Sequence, residues 1–296
     1  MPVDDSSPAT GPDNVRRPIL VVENDVTDPV GRLGDWLTDG GAMLDIRSMP
    51  DGAALPESLD DFGGLVVMGG AQNVYDDDVA PWLPQLRALL AAAVQSEVPT
   101  LGVCLGGQLL AVAVGGRVGL AETPEYGAQL IAKRQAAADD VLFKELPITP
   151  DVLQWHVDEI TQLPPRSVLL ASSPGGEVQA FRVGRRAWGL QFHIETSPET
   201  ITAWAEDDAA ALADYDVERI VDRSIAAHDD IAEVWQPFAA RFAAVVADPA
   251  LAATPRGLPM ASSSVPTSVA GPVTDPAEIR AALAAQMQAA RGSHGH

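Results

Sequence analysis

Thr100-Leu101-Gly102-Val103-Cys104-Leu105-Gly106-Gly107-Gln108 passes from an apolar segment, through a cysteine flanked by glycines, into a helix former. Residues 100–103 read as a strand buried on both faces, and residues 107–114 as a helix that follows directly. A strand-to-helix turn this short is strained, and its glycines leave room for the helix to pack close. Cys104 therefore stands at a nucleophile elbow of the form Gly-x-Cys-x-Gly. There it faces a helix N-terminus, whose partial positive charge favours thiolate over thiol. A small buried core cysteine is the competing reading. The glycines and the abrupt switch of periodicity favour the nucleophile.

The same alternation extends outward. Residues 19–22, 42–46 and 65–68 are strand candidates. Asp28-Pro29 reads as N-cap and first-turn proline of a helix stopped by Gly40-Gly41. Residues 81–94 carry Leu83, Leu86, Leu89 and Leu90 at helical spacing. This predicts an α/β fold with a mostly parallel sheet and helices on both faces. Residues 129–132, 152–155, 168–171, 178–183 and 187–192 are further strands with short connections, so the sheet is expected to be mixed. Residues 198–247 are helical, with Ser197 as N-cap and Pro198 in first position. The expected organisation is a flexible arm (1–17), a catalytic domain (18–199) and a helical extension packed on it (200–250). A Pro/Ser-rich linker and Ala-rich tail (251–296), expected to be largely disordered, follow. Trp204, Trp235 and Phe238 in the extension read as core packing, with a subunit or partner surface as the competing reading.

Composition limits the function. The 296 residues carry 41 Asp+Glu against 19 Lys+Arg, a formal net charge of −22, and only two lysines, Lys133 and Lys144. That charge repels phosphate backbones and anionic membranes, so no nucleic acid and no membrane is expected as partner. A hydrophobic content of 47% is enough for a real core. One cysteine excludes an intramolecular disulfide framework and a multi-cysteine metal site. The most apolar run, residues 101–116, is broken by glycines and Gln108 and does not read as a membrane span. Residues 1–17 lack an apolar signal core, so a cytoplasmic location is expected.

A cysteine nucleophile needs a base, and the base an orienting group. Of five histidines, His294 and His296 lie in the terminal tail, and His228, beside Asp229 and Asp230, reads as a solvated surface residue. His193 ends an apolar run, with Glu195 two residues on. In extended backbone both project to the same side, so the carboxylate can hold the imidazole toward Cys104. Attack on an acyl carbon, a thioester and hydrolysis by activated water would follow. Residues 65–70 form a strand running into Gly69-Gly70, which can turn N–H groups outward at the carboxyl edge of the sheet. The N–H groups of Gly70 and Leu105 are the expected oxyanion hole. His156 reads as pocket wall or backbone support, with Asp158 as candidate partner.

On these residues the chain resembles the class I (triad-type) glutamine amidotransferases, and most of all their free-standing branch, similar to the amidotransferase domain of GMP synthase. The resemblance runs from about residue 19 to residue 199. It is carried by Met68-Gly69-Gly70, the elbow 102–108, Glu125-Tyr126-Gly127, Trp155-His156-Val157-Asp158 and Gly189-Leu190-Gln191-Phe192-His193-Ile194-Glu195. It implies a flavodoxin-like α/β fold, with Cys104 as nucleophile, His193 as acid/base and Glu195 as its orienter. Gly69, Gln108, Trp155 and His156 would line the substrate site, without metal or cofactor. Ile194 stands where the family usually has proline, Val157 where it has glycine, and Ala71 where it has proline. None of these removes a reacting group, and the last two leave open free glutamine or another γ-glutamyl compound.

The resemblance implies hydrolysis of glutamine to glutamate and ammonia. No phosphate-binding Gly-x-x-x-x-Gly-Lys loop is present, so an ammonia-consuming synthetase subunit is expected on a separate chain. A stand-alone hydrolase of γ-glutamyl amides or peptides, and a catalytically silent binding protein, are the alternatives. An oligomer is compatible with either.

Overall fold

The computed structural model describes residues 17–252. The N-terminal arm before Arg17 and the linker and tail from residue 253, with His294 and His296, lie outside the described residues.

The chain runs β1 (Ile19–Glu23), α1 (Gly31–Asp39), β2 (Leu44–Ser48), β3 (Gly64–Val67), α2 (Leu83–Gln95), β4 (Thr100–Val103) and α3 (Leu105–Ala113). It continues with β5 (Arg117–Leu130), β6 (Ala132–Lys133), β7 (Asp151–Gln162), β8 (Ser167–Ser172), β9 (Ala180–Val183) and β10 (Ala187–Leu190), then α4 (Pro198–Asp207) and α5 (Val217–Ala247). Eight strands form one sheet in the order β2-β1-β3-β4-β10-β9-β8-β6. Pairings from β2 through β10 are parallel, and β9, β8 and β6 add antiparallel neighbours. The expected mixed, mostly parallel sheet is thus observed.

Alternate residues of the central strands feed two cores. Ile19, Val21, Val66, Leu101 and Val103 pack with Leu33, Leu37, Trp235, Phe238 and Phe242 on one face. Leu20, Val22, Leu65 and Val67 pack with Leu83, Leu86, Leu90 and Leu109 on the other. Such two-sided burial is why these strands read as unbroken apolar runs. Trp235 and Phe238 are fully buried and Trp204 nearly so, which overturns the partner-surface reading of those rings.

Two local expectations change. Asp28 does not cap α1. The helix starts at Gly31, and Glu23 Oε1 accepts from the Val30 N–H at 2.8 Å instead. β5 and β7 form a separate antiparallel ribbon, of which only residues 129–130 and 152–155 were legible; the expected strand 129–132 runs from the end of β5 into β6. Register shifts and a mostly half-exposed β5 break the apolar alternation of its N-terminal part.

Candidate active site

Three strand ends meet at one edge of the sheet. β4 lies between β3 and β10, in parallel register with both, so the segments leaving their carboxyl ends converge. Cys104 occupies the bend after β4 with φ 49° and ψ −110°, a region costly for a residue with a Cβ. Its N–H donates to Leu190 O at 2.9 Å, and its own carbonyl accepts from Gln108 N at 3.0 Å. The strain is held by close packing of α3 on the sheet. A Cβ on Gly106 would sit 2.0 Å from Val67 O, and one on Gly107 2.5 Å from Leu190 O. Both neighbours are backbone, so neither can yield.

His193 follows β10 and is fixed by a two-way backbone bridge to Leu153 of β7, at 2.8 and 3.2 Å. Its Nδ1 lies 2.5 Å from Glu195 Oε1, while Glu195 Oε2 accepts from the Ile194 N–H at 2.8 Å. Nε2 is thereby left free of Glu195, and Cys104 is among the groups whose charge acts on the ring. All three side chains are buried. Burial alone would disfavour the imidazolium. The charge of Glu195 first, and then that of Cys104, outweigh it and raise the His193 pKa well above its ordinary value. For Glu195, burial pushes upward, but His193 and the backbone N–H groups prevail and hold the carboxyl below its usual range. The spacing of the two residues in the sequence thus reports a real contact.

Gly70 and Leu105 are neighbours, since a Cβ built on Gly70 lies 3.3 Å from Leu105 Cδ2. Gly69 makes room: a Cβ there would fall 2.0 Å from Asp28 Oδ2 and 3.1 Å from His193 Cε1. Asn24 Nδ2 donates to Met68 O at 2.8 Å and so ties the glycine turn to the end of β1. Gln108 donates its amide to Asp158 O at 3.1 Å and to Gln191 Oε1 at 3.3 Å, which joins α3 to β7 and to the loop after β10. Trp155 is held by an Nε1 bond to Asp208 Oδ2 at 2.7 Å and packs against Trp204.

His156 is part of a buried polar network. Its Nδ1 meets the main-chain oxygen of Asp158 at 3.0 Å, and its Nε2 lies 3.0 Å from Gln154 Oε1 and 3.4 Å from Glu125 Oε2. The carboxylate of Asp158, its expected partner, accepts from Asn73 Nδ2 at 2.8 Å instead. Burial raises the Glu125 carboxyl, but the neighbouring His156 together with Gln179 and Ser173 brings it below its ordinary value.

Three site residues escaped the sequence reading. Trp204, from α4, covers the imidazole of His193 with ring centroids 4.8 Å apart, and donates to Thr27 O at 2.9 Å. Asp28 is buried with Oδ1 3.9 Å from His193 Nδ1. His228 is not a surface residue. It is 3% exposed, its Nδ1 meets Ser224 O at 2.7 Å, and its Nε2 lies 3.3 Å from the Thr196 hydroxyl, next to Glu195. Ser224 and His228 stand four apart on one helix face, a spacing that could have signalled a buried pair.

Ligand atoms of Asp28, His193 and Glu195 lie within 4.8 Å of one another, as a cation site would require. In the observed arrangement His193 Nδ1 is committed to Glu195 Oε1. A thiol at a helix N-terminus and an imidazole on a buried carboxylate are together suited to acyl transfer.

The comparisons with known proteins agree. The family model for class-I glutamine amidotransferases matches residues 42–209. The chain is 38% identical over 134 residues to the glutamine-hydrolysing GMP synthase of Thermomicrobium roseum, 45% of this chain and 23% of that protein. It is 30% identical over 169 residues to the GMP synthase of Ligilactobacillus salivarius, 55% of this chain and 31% of that one. It therefore spans about a quarter of the length of the curated relatives it matches. A glutamine amidotransferase from Thermotoga maritima superposes with a TM-score of 0.68 at 26% identity, covering 77% of this chain and 98% of that one. One from Methylobacillus flagellatus gives 0.67 at 27%, covering 77% and 93%.

Proposed function

The chain belongs to the class-I glutamine amidotransferase family, and from that premise we propose that it hydrolyses the side-chain amide of glutamine through a thioester on Cys104. The observation that carries this reading is the buried array of Cys104, His193 and Glu195 at the carboxyl edge of the sheet.

In the proposed reaction the proton of the Cys104 thiol already rests on His193, whose raised pKa favours the imidazolium, and the thiolate sulfur bonds to the amide carbon. The carbonyl oxygen gains negative charge and is met by the N–H groups of Gly70 and Leu105. His193 returns the proton to the amide nitrogen, the C–N bond breaks, and ammonia leaves a γ-glutamyl thioester. His193 then takes a proton from water, whose oxygen attacks the thioester carbon. The C–S bond breaks, glutamate forms, and the thiol is reprotonated. Glu195 keeps Nδ1 protonated throughout and stabilises the imidazolium. Gly69, Gln108, Trp155 and His156 belong to the substrate surroundings in this proposal. The donors of Gln108 are engaged by the protein, so it would meet substrate through Oε1. No cofactor or metal enters any step.

We propose that the ammonia is consumed by a synthetase, a reading supported by the match to glutamine-hydrolysing GMP synthases. A reducing cytoplasm fits a reaction that depends on one free thiol. Among the described residues no helix is long and apolar enough to cross a membrane.

Ammonia and amine release would be measured with glutamine and a panel of γ-glutamyl amides, for wild type and Cys104→Ala. Glutamine turnover that is lost in Cys104→Ala and rises with a synthetase partner supports the proposal. Partner-independent release of amine from γ-glutamyl amides, with glutamine inert, points to the stand-alone hydrolase. Equal inertness of both proteins on every substrate and with every partner defeats the enzymatic reading.

A further inference from the structure

Asp28 stands beside the triad and has no part in the reaction above. It is 3% exposed, and among the described residues no donor reaches either of its carboxylate oxygens. The protein nevertheless makes a place for it. A side chain on Gly69 would collide with Oδ2 at 2.0 Å. The first turn of α1, just after Asp28, is tied to Glu195 through Arg32 N–H to Glu195 O at 3.0 Å. Gly31, at φ 43°, passes so close that a Cβ there would lie 2.6 Å from the same oxygen. Thr27 O is held by the Trp204 indole, and Asp25 accepts from the Thr27 and Ala71 N–H groups.

The ionisable groups that face Asp28 are His193 and Glu195 from the loop after β10 and Asp25 from its own loop, with Cys104 beyond His193. An ionised carboxylate with no donor is costly in such a place, and a second anion beside one imidazolium leaves an uncompensated charge. A proton on Asp28 removes both costs and turns one of its oxygens into a donor. Glu195 is the acceptor at hand: a carboxylate oxygen of each lies within 4.8 Å of the other, and the oxygens of Glu195 are on His193 Nδ1 and the Ile194 N–H.

We propose that Asp28 is a positioning residue: a neutral carboxylic acid that donates a hydrogen bond to Glu195 and thereby fixes the carboxylate that orients His193. Its catalytic consequence rests on the proposed function, but its geometry does not. Burial above all, and the charge of Glu195, raise the Asp28 pKa well above the ordinary carboxyl value, in agreement.

The test compares Asp28→Asn and Asp28→Ala with wild type in two assays that need no substrate. One is the thermal midpoint between pH 4 and 8, and the other the rate of iodoacetamide alkylation against pH. Cys104 is the only cysteine, so alkylation reports on the triad alone. A neutral Asp28 stabilises the fold fully at acid pH and progressively less as pH rises, because the unfolded chain gives up the proton first. Asparagine carries its donor without titrating. Asp28→Asn should therefore gain midpoint over wild type as pH rises, and its alkylation should stay within about twofold of wild type across the range. Asp28→Ala should slow alkylation at neutral pH by roughly tenfold, a loss that asparagine rescues.

A midpoint of Asp28→Asn that falls below wild type as pH rises would overturn the proposal, since it would mean an ionised Asp28 paired with the imidazolium. Alkylation of Asp28→Ala indistinguishable from wild type would overturn it too. If Asp28→Ala does not fold, the sign of the Asp28→Asn midpoint shift decides. Wild type inert on glutamine, with both assays as expected, rejects the proposed function and leaves Asp28 its role.

Discussion

The indole of Trp204 stands edge-on over the imidazole of His193, with ring centroids 4.8 Å apart and planes at 63°. The Ser197 cap and Pro198 start α4 two residues after Glu195, so the helix returns Trp204 over the triad within two turns. The same indole donates to Thr27 O and so joins His193 to the loop of Asp28.

Trp204→Phe should keep a ring over His193 but lose the bond to Thr27, for about 1 kcal/mol of stability and a modest fall in kcat. Trp204→Ala opens the space and should cost about 3–5 kcal/mol, with a larger loss of kcat. Thermal melting and steady-state kinetics check both. Equal kcat in Trp204→Ala and wild type would remove Trp204 from the support of His193.

Glu195→Gln removes the charge that holds the imidazolium while keeping the shape. We expect kcat to fall by roughly 10²–10⁴ fold. Loss of the anion also lowers the His193 pKa, so the alkaline limb of the rate profile should move to lower pH. A pH series of kcat/KM is the measurement, and an unmoved alkaline limb would contradict the assigned contact.

Ile194→Pro removes the N–H that Glu195 Oε2 accepts at 2.8 Å. A hydrogen bond to a charged group contributes about 1.5–3 kcal/mol, and its loss frees the carboxylate to turn away from Nδ1. Reduced kcat with near-normal KM is expected, from kinetics on a variant shown by melting to be folded. Full activity in Ile194→Pro would mean that other contacts suffice to hold Glu195.

How far the site was legible follows from the range of each signal. The elbow showed in the sequence because Gly106 and Gly107 lie beside Cys104 in the chain, although the atoms that require them, Val67 O and Leu190 O, are distant. His193 and Glu195 showed for the same reason, being two residues apart. Asp28 did not, because an aspartate before proline at the start of a helix has the local signature of a cap. Only the approach of Gly69 and His193 from other strands gives it another place. The central strands β1, β3 and β4 were plain from burial on both faces. The β5–β7 ribbon was only partly visible, since its half-exposed residues carry no steady alternation.

Gly106→Ala tests the elbow itself. Its new methyl group would meet Val67 O at 2.0 Å, and a backbone oxygen in a parallel ladder can give way only if α3 lifts off the sheet. Overpacking of this kind costs about 1–3 kcal/mol or more. We expect a lower melting temperature and, in whatever remains folded, a displaced Cys104 with little activity. A variant as stable and active as wild type would show that α3 can shift without moving Cys104.

His228 supplies an acid-sensitive contact behind the triad. Its Nδ1–H donates to Ser224 O, which leaves Nε2 to accept from the Thr196 hydroxyl, so the neutral ring is the form the fold uses. Burial first, and then the charge of Arg32, lower its pKa below the ordinary imidazole value despite the Ser224 carbonyl. For a base with a lowered folded-state pKa, stabilisation is complete above the unfolded value near 6.5 and is lost as pH falls toward the folded one. His193 has the opposite sign: its raised pKa favours the folded state at acid pH and less so as pH rises through the folded value. His228→Gln removes the first effect and leaves the second. Compared with wild type, it should therefore lose less thermal stability between pH 7 and 5, whatever its absolute melting temperature. Parallel melting curves for the two proteins over that interval would show that His228 does not titrate with folding.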